Sequence, residues 1–499
     1  MKLIYLTRLK IKIHFICKFI VTLFFIYSIL PINHGFSREN LDNPNPDVII
    51  VGAGLAGLST AYQLKKEGKS FVIIEMSPHI GGRIRTASYT ENVSAEVGLE
   101  EFWENNPILP IFKELGIPLE KSATGFSSFI SNGRINTFTQ NTKTEFLKSF
   151  LTEKEINNFQ IWDHKASEIY KKISTGTMTP DLLALKNISF ANWVRKHKNL
   201  TLKVQEIIRI ESEPEYATSW ERISALDGIL EWHLFSGEGA QSYHIAGGNH
   251  LGAIAIADSI GRDKIMLSQQ VININSKSNG VEVITTDADF KQQTYFAKYV
   301  VTTMPLFRLN EIQFNPPLTS DRTEAIQTQT WGSYFTAHLI FSEEAQKYWT
   351  LNGIEILPIL TDGPLGVIYS GNSPVDSKIK TKETILNLLV SGDHAEVFNN
   401  RAGSLDEVKA QLLKNLESLW PGVCKHLKKQ IFYRYHPRAI ASWPVGRSRL
   451  DSLSDLMRKP QGRVYFAGDF TEGTHSDGAA HSAIRVVHDI IEKETKKLE

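Results

Sequence analysis

DVIIVGAGLAGLSTAYQLKKEGKSFVIIE, residues 47–75, decides how the chain begins to fold. An apolar run suited to a buried parallel strand enters Gly52-x-Gly54-x-x-Gly57. A helix-period segment with Leu58, Ala61 and Leu64 on one face follows, and then a second apolar strand at 71–74. This is a complete βαβ unit. Gly52 permits the tight turn, Gly54 lets the backbone approach a pyrophosphate, and Gly57 lets helix and strand pack closely. The helix N-terminus offers unpaired N–H groups to phosphates. Glu75 closes the second strand, where it can accept hydrogen bonds from ribose hydroxyls. A lone GxGxxG is weak evidence, but strand, helix, strand and acid together predict a dinucleotide site.

The next residues narrow which dinucleotide. MSPHIGGRIRT (76–86) bares the backbone at Gly81-Gly82 and adds a fixed positive charge, Arg83, near the phosphates. A polar hairpin and SAEVGLEEF (94–102) follow, where nicotinamide enzymes usually proceed to another helix. Far downstream, GRVYFAGDFTEGTHSDGAAHSAIRVVHDIIEK (462–493) reads as a strand over 464–467, then Gly468-Asp469, a polar loop, and a helix opening at Gly478-Ala479-Ala480. Asp469 can accept from a ribityl hydroxyl. The small residues let that helix's positive end approach a flavin where the reduced ring becomes anionic. FAD is the cofactor expected.

With its GGR turn and FAGD segment, the chain after residue 47 resembles the FAD-dependent amine oxidase superfamily, which includes monoamine, polyamine and L-amino-acid oxidases. The resemblance implies a discontinuous FAD domain whose insertions roof the flavin. It also implies that Val271, in the strand after the Gly247-Gly248 turn and its helix, contacts adenine through its backbone. NGVEVITTDADFKQQTYFAKYVVTTMP (279–305) reads as a β-meander. Residues 106–235 are mostly helical by pattern, including 111–117, 143–151 and 201–211, and Trp220, Trp232, His233 and Phe235 read there as core. Residues 331–392 read as a second, antiparallel sheet lining the cavity, and 405–419 as an amphipathic helix.

The fold class expected is α/β. A discontinuous Rossmann-like FAD-binding domain (47–105, 240–305 and 430–499) carries a mixed α+β substrate-binding domain (106–239 and 306–429). An N-terminal signal or membrane anchor (1–37) precedes them: five Lys and Arg residues lead into FIVTLFFIYSILPI (19–32), a run shorter than a full membrane span. Both readings export the body of the protein, with any membrane contact confined to that segment. If the leader is cleaved, only Cys424 remains, so no internal disulfide forms; no cysteine lies near the ring-binding motifs, so no cysteinyl flavin link is expected. The 499 residues carry a net charge of only +1, with the signs mixed and no basic block to bind nucleic acid. No metal-ligand spacing or Ser-His-Asp set competes with the flavin reading.

The function the resemblance implies is oxidation of an amine or amino acid to an imine, with dioxygen as acceptor and hydrogen peroxide as by-product. Departures from the family pattern keep a second reading open, a desaturase, isomerase or protoporphyrinogen-oxidase-like enzyme of the same fold. In PLFRLNEIQFNPPL (305–318) a flavin-linked lysine is common, and this chain has Glu311, or Asn310 in the polyamine oxidase alignment. Glu311 either points to solvent or, at a flavin edge, needs a proton or Arg308 beside it. Of the usual aromatic pair, Trp443 reads as a flavin-face residue, while EGTHSDGAA (472–480) supplies no aromatic and offers His475 and His481. His475 orients a substrate or caps the loop. Leu99-Glu100 stands where small residues are common near the ring.

Overall fold

Alternate residues of the first strand, Val48–Val51, serve two different cores. Val48 and Ile50 pack against the helix Leu55–Lys66 and the last helix, Ser476–Thr495, whereas Ile49 and Val51 pack toward the meander. A strand buried on both faces must be apolar throughout, and VIIV is. The structure, a computed structural model, describes residues 45–499 apart from 91, 123–127, 132–133, 138–146, 236–240, 375–379, 401–403, 434–435 and 497–499. The expected leader, 1–37, lies outside the described residues, as does the start of the helix expected at 143–151.

The first strand is central in a five-stranded parallel sheet ordered Ile265–Met266, Phe71–Ile74, Val48–Val51, Tyr299–Thr302, Val464–Phe466. Leu58, Ala61 and Leu64, the stripe read from the sequence, are fully buried. Gly68, with φ +67°, lets the chain leave this helix in the left-handed region at no steric cost. The meander forms as expected from Gln270–Ser276, Val281–Thr286 and Gln292–Ala297, all antiparallel, and Gln313–Asn315 adds to its edge in parallel.

The second sheet has seven strands, ordered Leu427–Tyr433, Tyr334–Ser342, Glu383–Ser391, Val367–Ser370, Ile359–Thr361, Ser128–Ser131, Arg134–Thr137. Tyr334–Ser342 shows how it is used. Phe335, Ala337, Leu339 and Phe341 join an apolar core with Val408, Leu412 and Leu416 of the helix Leu405–Leu419. On the opposite face, Thr336 donates to the Val97 carbonyl at 3.2 Å and His338 bonds the Glu96 carbonyl at 2.7 Å. The polar side of this sheet therefore lies against the hairpin that follows the Gly-Gly-Arg turn.

Helices Glu153–Ser174, Phe190–Arg195, Leu202–Tyr216 and Ala225–Phe235 enclose a core holding Trp162, Trp193, Trp220 and Trp232. Thr152 starts the first of them with a capping box through Glu155. Trp220 and Trp232 are core, as read, and His233 stacks on Tyr170 at 3.9 Å; the Phe235 side chain lies outside the described residues. The exceptions to helix among the described residues of this region are the short strand Leu119–Lys121 and the hairpin 128–137. The strands of the hairpin are completed by pairing with Ile359–Thr361, more than two hundred residues away, a contact that local periodicity does not carry. Among the described residues no helix is long and apolar enough to cross a membrane.

Candidate functional site

One cavity of about 600 Å³ runs from the first glycine loop to the polar face of the seven-stranded sheet. Gly52, Gly54, Glu75, Gly82, Arg83, Val271, Gly468, Asp469 and Ala479 all line it, so the structure gathers sequence-predicted residues from four separated segments. Its first end is shaped by what the backbone lacks. A Cβ on Gly57 would lie 1.9 Å from the Gly52 carbonyl oxygen, and one on Gly478 would lie 2.3 Å from that of Gly473. Gly57 and Gly478 stand behind the wall and let helix and loop close up beneath it. Gly52 (φ +113°) and Gly468 (φ +140°) adopt backbone that side chains resist.

The helix Leu55–Lys66 has no side-chain cap at Gly54, and Gly54, Leu55 and Ala56 face the cavity. Its first N–H groups and partial positive charge are thus available to a diphosphate. The Glu75 carboxylate accepts from the N–H of Ala53 (2.7 Å) and of Ser77 (2.8 Å), one bond per oxygen, which fixes it with acceptor capacity to spare for ribose hydroxyls. Val271 sits beside it at a bulge in its strand. These features fit the adenosine diphosphate portion of FAD.

Arg83 and Asp469, expected to serve phosphate and ribityl groups separately, are joined. Arg83 donates to both Asp469 oxygens, at 2.7 and 3.0 Å, and to the Ala439 carbonyl at 2.7 Å. The bidentate pair ties the Gly-Gly-Arg turn to the FAGD segment. The last helix starts at Ser476, two residues before the expected opening, with His475 as its uncapped N-cap; His475, Ser476 and Ala479 line the cavity. Glu311 lies on the wall as well. It ends a 3-10 turn, Leu306–Glu311, with its side chain 41% exposed, and both of its oxygens accept from Arg308, at 2.8 and 2.9 Å. Both conditions read from the sequence are thus met: the side chain is open to solvent, and Arg308 is its partner.

The opposite end of the cavity is of another kind. Glu100, Glu101, Glu215, Tyr334, Tyr369 and His475 meet there. Burial pushes the carboxyls of Glu101 and Glu215 up to about 7, and burial with the charge of Glu96 lifts Glu100 well above its usual range. Glu96, behind the wall, is also raised to about 7 by burial, although Asn249, Thr86 and Asn372 all donate to it. Burial would pull the His475 imidazole down, but Glu231 and Glu215 outweigh it and hold it above the ordinary histidine value. His475 Nδ1 lies 3.4 Å from Glu231 Oε2, and Nε2 lies 3.6 Å from Glu215 Oε2.

Glu231 itself does not reach the cavity wall. Burial opposes its charge, yet the Arg449 guanidinium and His475 hold it at about 2. Arg449 also takes Asp227, at 2.9 Å, and its guanidinium lies 4.9 Å from the Trp443 ring centre. The structure does not bring Trp443 to the wall. The ring is fully buried, and its N–H donates to Ser454 at 3.0 Å, because the loop at 443–451 turns inward to hold Arg449 under the helix Ala225–Phe235. Sequence reasoning missed Glu101, Glu215, Tyr334 and Tyr369. The signals were slight: a doubled acid beside Phe102-Trp103, and Glu215 one residue after Pro214 at a helix end.

The sequence profile of the family described as flavin containing amine oxidoreductase matches residues 55–491. An L-amino-acid oxidase of Demansia vestigiata is 25% identical over 465 residues, covering 89% of this chain and 86% of that protein. Polyamine oxidase 1 of Zea mays is 24% identical over 466 residues, covering 88% of each. Among solved structures, wild-type putrescine oxidase bound to putrescine superposes with a TM-score of 0.74 at 21% identity, covering 90% of this chain and 99% of that one. Cyclohexylamine oxidase from Brevibacterium oxydans gives 0.72 at 21%, covering 90% and 100%. At that identity the structures speak for the fold alone.

Proposed function

From the premise that the chain belongs to the flavin containing amine oxidoreductase family, we propose that it is an FAD-dependent oxidase of an amine or amino acid. The observation that carries this is the continuity of one cavity, from a glycine cradle with an uncapped helix end to a wall of carboxyls and phenols. The relatives named above are all oxidases, and no residue on the wall favours a desaturase or isomerase.

Gly52, Gly54 and the first turn of the helix Leu55–Lys66 would hold the diphosphate, Glu75 the adenosine ribose, and Val271 the adenine edge. Gly82, the Arg83–Asp469 pair and the N-terminus of the last helix, with Ala479, would hold the flavin end. A bound FAD supplies two-electron oxidation at the carbon bearing the amine, with dioxygen as final acceptor and an imine and hydrogen peroxide as products. Leu99 and Leu389 limit water in the cavity, while the polar groups at the far wall orient the substrate. Arg308 compensates Glu311, so that the wall gains no net negative charge there. The composition of residues 1–37 supports export of the protein.

Peroxide release by the purified yellow protein on a panel of amines and amino acids is the test. Turnover of at least one member is expected. A flavin that stays oxidised in the absence of air with every member would sink the reading.

A further inference from the structure

An amine in neutral water is an ammonium ion, and its nitrogen has no lone pair with which to assist oxidation of the neighbouring carbon until a proton leaves. At neutral pH, where the free amine is scarce, a group in the cavity that takes that proton opens the main form of the substrate to reaction. Several of the carboxylates on the wall are already committed. Glu75 accepts two backbone N–H groups, Asp469 holds Arg83, Glu311 holds Arg308, and Glu100 accepts from Asn387 at 2.7 Å. Glu101 has Ser242 as partner. Glu215 is different. It lines the cavity, keeps 26% of its side-chain surface accessible, and accepts no hydrogen bond among the described residues; His475, at 3.6 Å, is its ion-pair neighbour.

The surroundings of Glu215 come from five elements. Glu101 follows the hairpin, Glu231 lies in the helix Ala225–Phe235, and His475 stands at the N-terminus of the last helix. Tyr334 and Tyr369, from two strands of the seven-stranded sheet, both respond to the Glu215 charge, and Tyr216 lies next to it in its own helix. The cations of the cavity wall other than histidine, Arg83, Arg85 and Arg308, come from the glycine-turn segment and from the loop that carries Glu311. An ammonium entering this end meets carboxylates and phenols and no lysine or arginine.

We propose that Glu215 receives the substrate ammonium and takes one of its protons, with Glu101 as the second carboxylate of the pocket and His475 and Glu231 as positioning residues. The proposal rests on the reading of the protein as an amine oxidase. In the step, an N–H bond of the ammonium breaks and an O–H bond forms on Glu215; a cation and a carboxylate become a neutral amine and a carboxylic acid, and no electrons change hands. The raised carboxyl, at about 7, suits a base working at neutral pH. Glu231, fixed by Arg449, anchors His475, and His475 in turn keeps Glu215 from rising further.

The test is the pH profile of kcat/KM for benzylamine and 1,4-diaminobutane with the flavin-loaded enzyme. Wild type is expected to show an acid limb near 7. Glu215→Gln, nearly the same shape, should lose that limb, fall about 100-fold at neutral pH, and recover to within about threefold near pH 10, where the free amine is abundant. His475→Asn should move the limb to higher pH, because a positive neighbour of the carboxylate is gone. Binding alone is read with tert-butylamine, which has no hydrogen on its α carbon. Followed by the flavin absorbance shift at pH 8, its affinity should weaken about tenfold in Glu215→Gln, roughly 1.4 kcal/mol. An unchanged profile, or a loss equal at every pH, overturns the assignment while leaving the amine oxidase reading intact. A wild type that oxidises an amino acid but no amine also overturns the assignment alone, and one inactive on every amine and amino acid overturns both.

Discussion

The two ends of the cavity are built on opposite principles. The cofactor end is made of backbone: glycines that admit no Cβ, helix ends without caps, and charges matched in pairs such as Arg83–Asp469 and Arg308–Glu311. The substrate end is made of side chains among which carboxyls and phenols outnumber the single histidine, with Glu101 and Glu215 held up near neutrality chiefly by burial. The first arrangement is rigid and general and can hold a common cofactor. The second keeps ionisable groups poised to exchange a proton, and buried carboxyls with shifted pKa values of this kind are retained for function more readily than for stability.

If the contrast is real, damage at the two ends should read differently. The largest effect is expected from Gly57→Val. A Cβ there would sit 1.9 Å from the Gly52 carbonyl, so helix and strand must separate, at a cost of about 3 kcal/mol or more. Urea unfolding should record that loss, and the purified variant should be colourless. Next comes Arg449→Met, which strands Asp227 and Glu231 in the interior and should cost about 3–5 kcal/mol in the same assay. Because Glu231 anchors His475, this variant should also disturb the pH profile, whereas a flavin-loaded Gly57 variant would not.

A subtler effect concerns Glu215 in the absence of FAD. Its carboxyl sits near 7 when folded and near the ordinary glutamate value when unfolded, so the folded state binds the extra proton between those limits. Stability from this group is complete below about pH 4.5 and is lost as pH rises through about 7. Glu215→Gln should therefore melt with wild type at pH 4 and above it at pH 8. His338 and His436, each lowered to about 4 by burial, act in the opposite direction between pH 4 and 6.5 but are common to both proteins, so the difference isolates Glu215. The smallest effect is assigned to Trp443→Phe. It should cost about 1 kcal/mol for the lost bond to Ser454 and leave the flavin spectrum and kcat unchanged, since the ring does not face the cavity.

The same contrast explains what could be read in advance. Gly52, Gly54, Gly57 and Glu75 stand within 24 residues, and the geometry they require is local, so the βαβ unit was legible in full. The FAGD segment and the helix Leu405–Leu419 were legible for the same reason. Glu101, Glu215, Tyr369 and His475 are brought together only by the packing of helices on the seven-stranded sheet, and nothing in the sequence near Glu215 announces Tyr369. Trp443 shows the converse. An aromatic at the expected place in a motif was assigned to the flavin face, and a buried arginine network claimed it instead. Family position pointed to residues that one cavity gathers, from Gly52 to Ala479; it was a weaker guide at Trp443, where side-chain packing decides.

The measurement that bears most directly on the central claim is anaerobic mixing of the flavin-loaded protein with 1,4-diaminobutane, benzylamine and L-leucine, followed by admission of air. An amine oxidase with the cavity described here should lose its yellow colour with an amine more readily than with the amino acid, whose carboxylate finds no lysine or arginine among Glu101, Glu215, Tyr334 and Tyr369. Colour should return with air as peroxide is released. A flavin that bleaches with L-leucine alone would contradict the reading of the substrate end, and one that bleaches with no amine or amino acid would contradict the function itself.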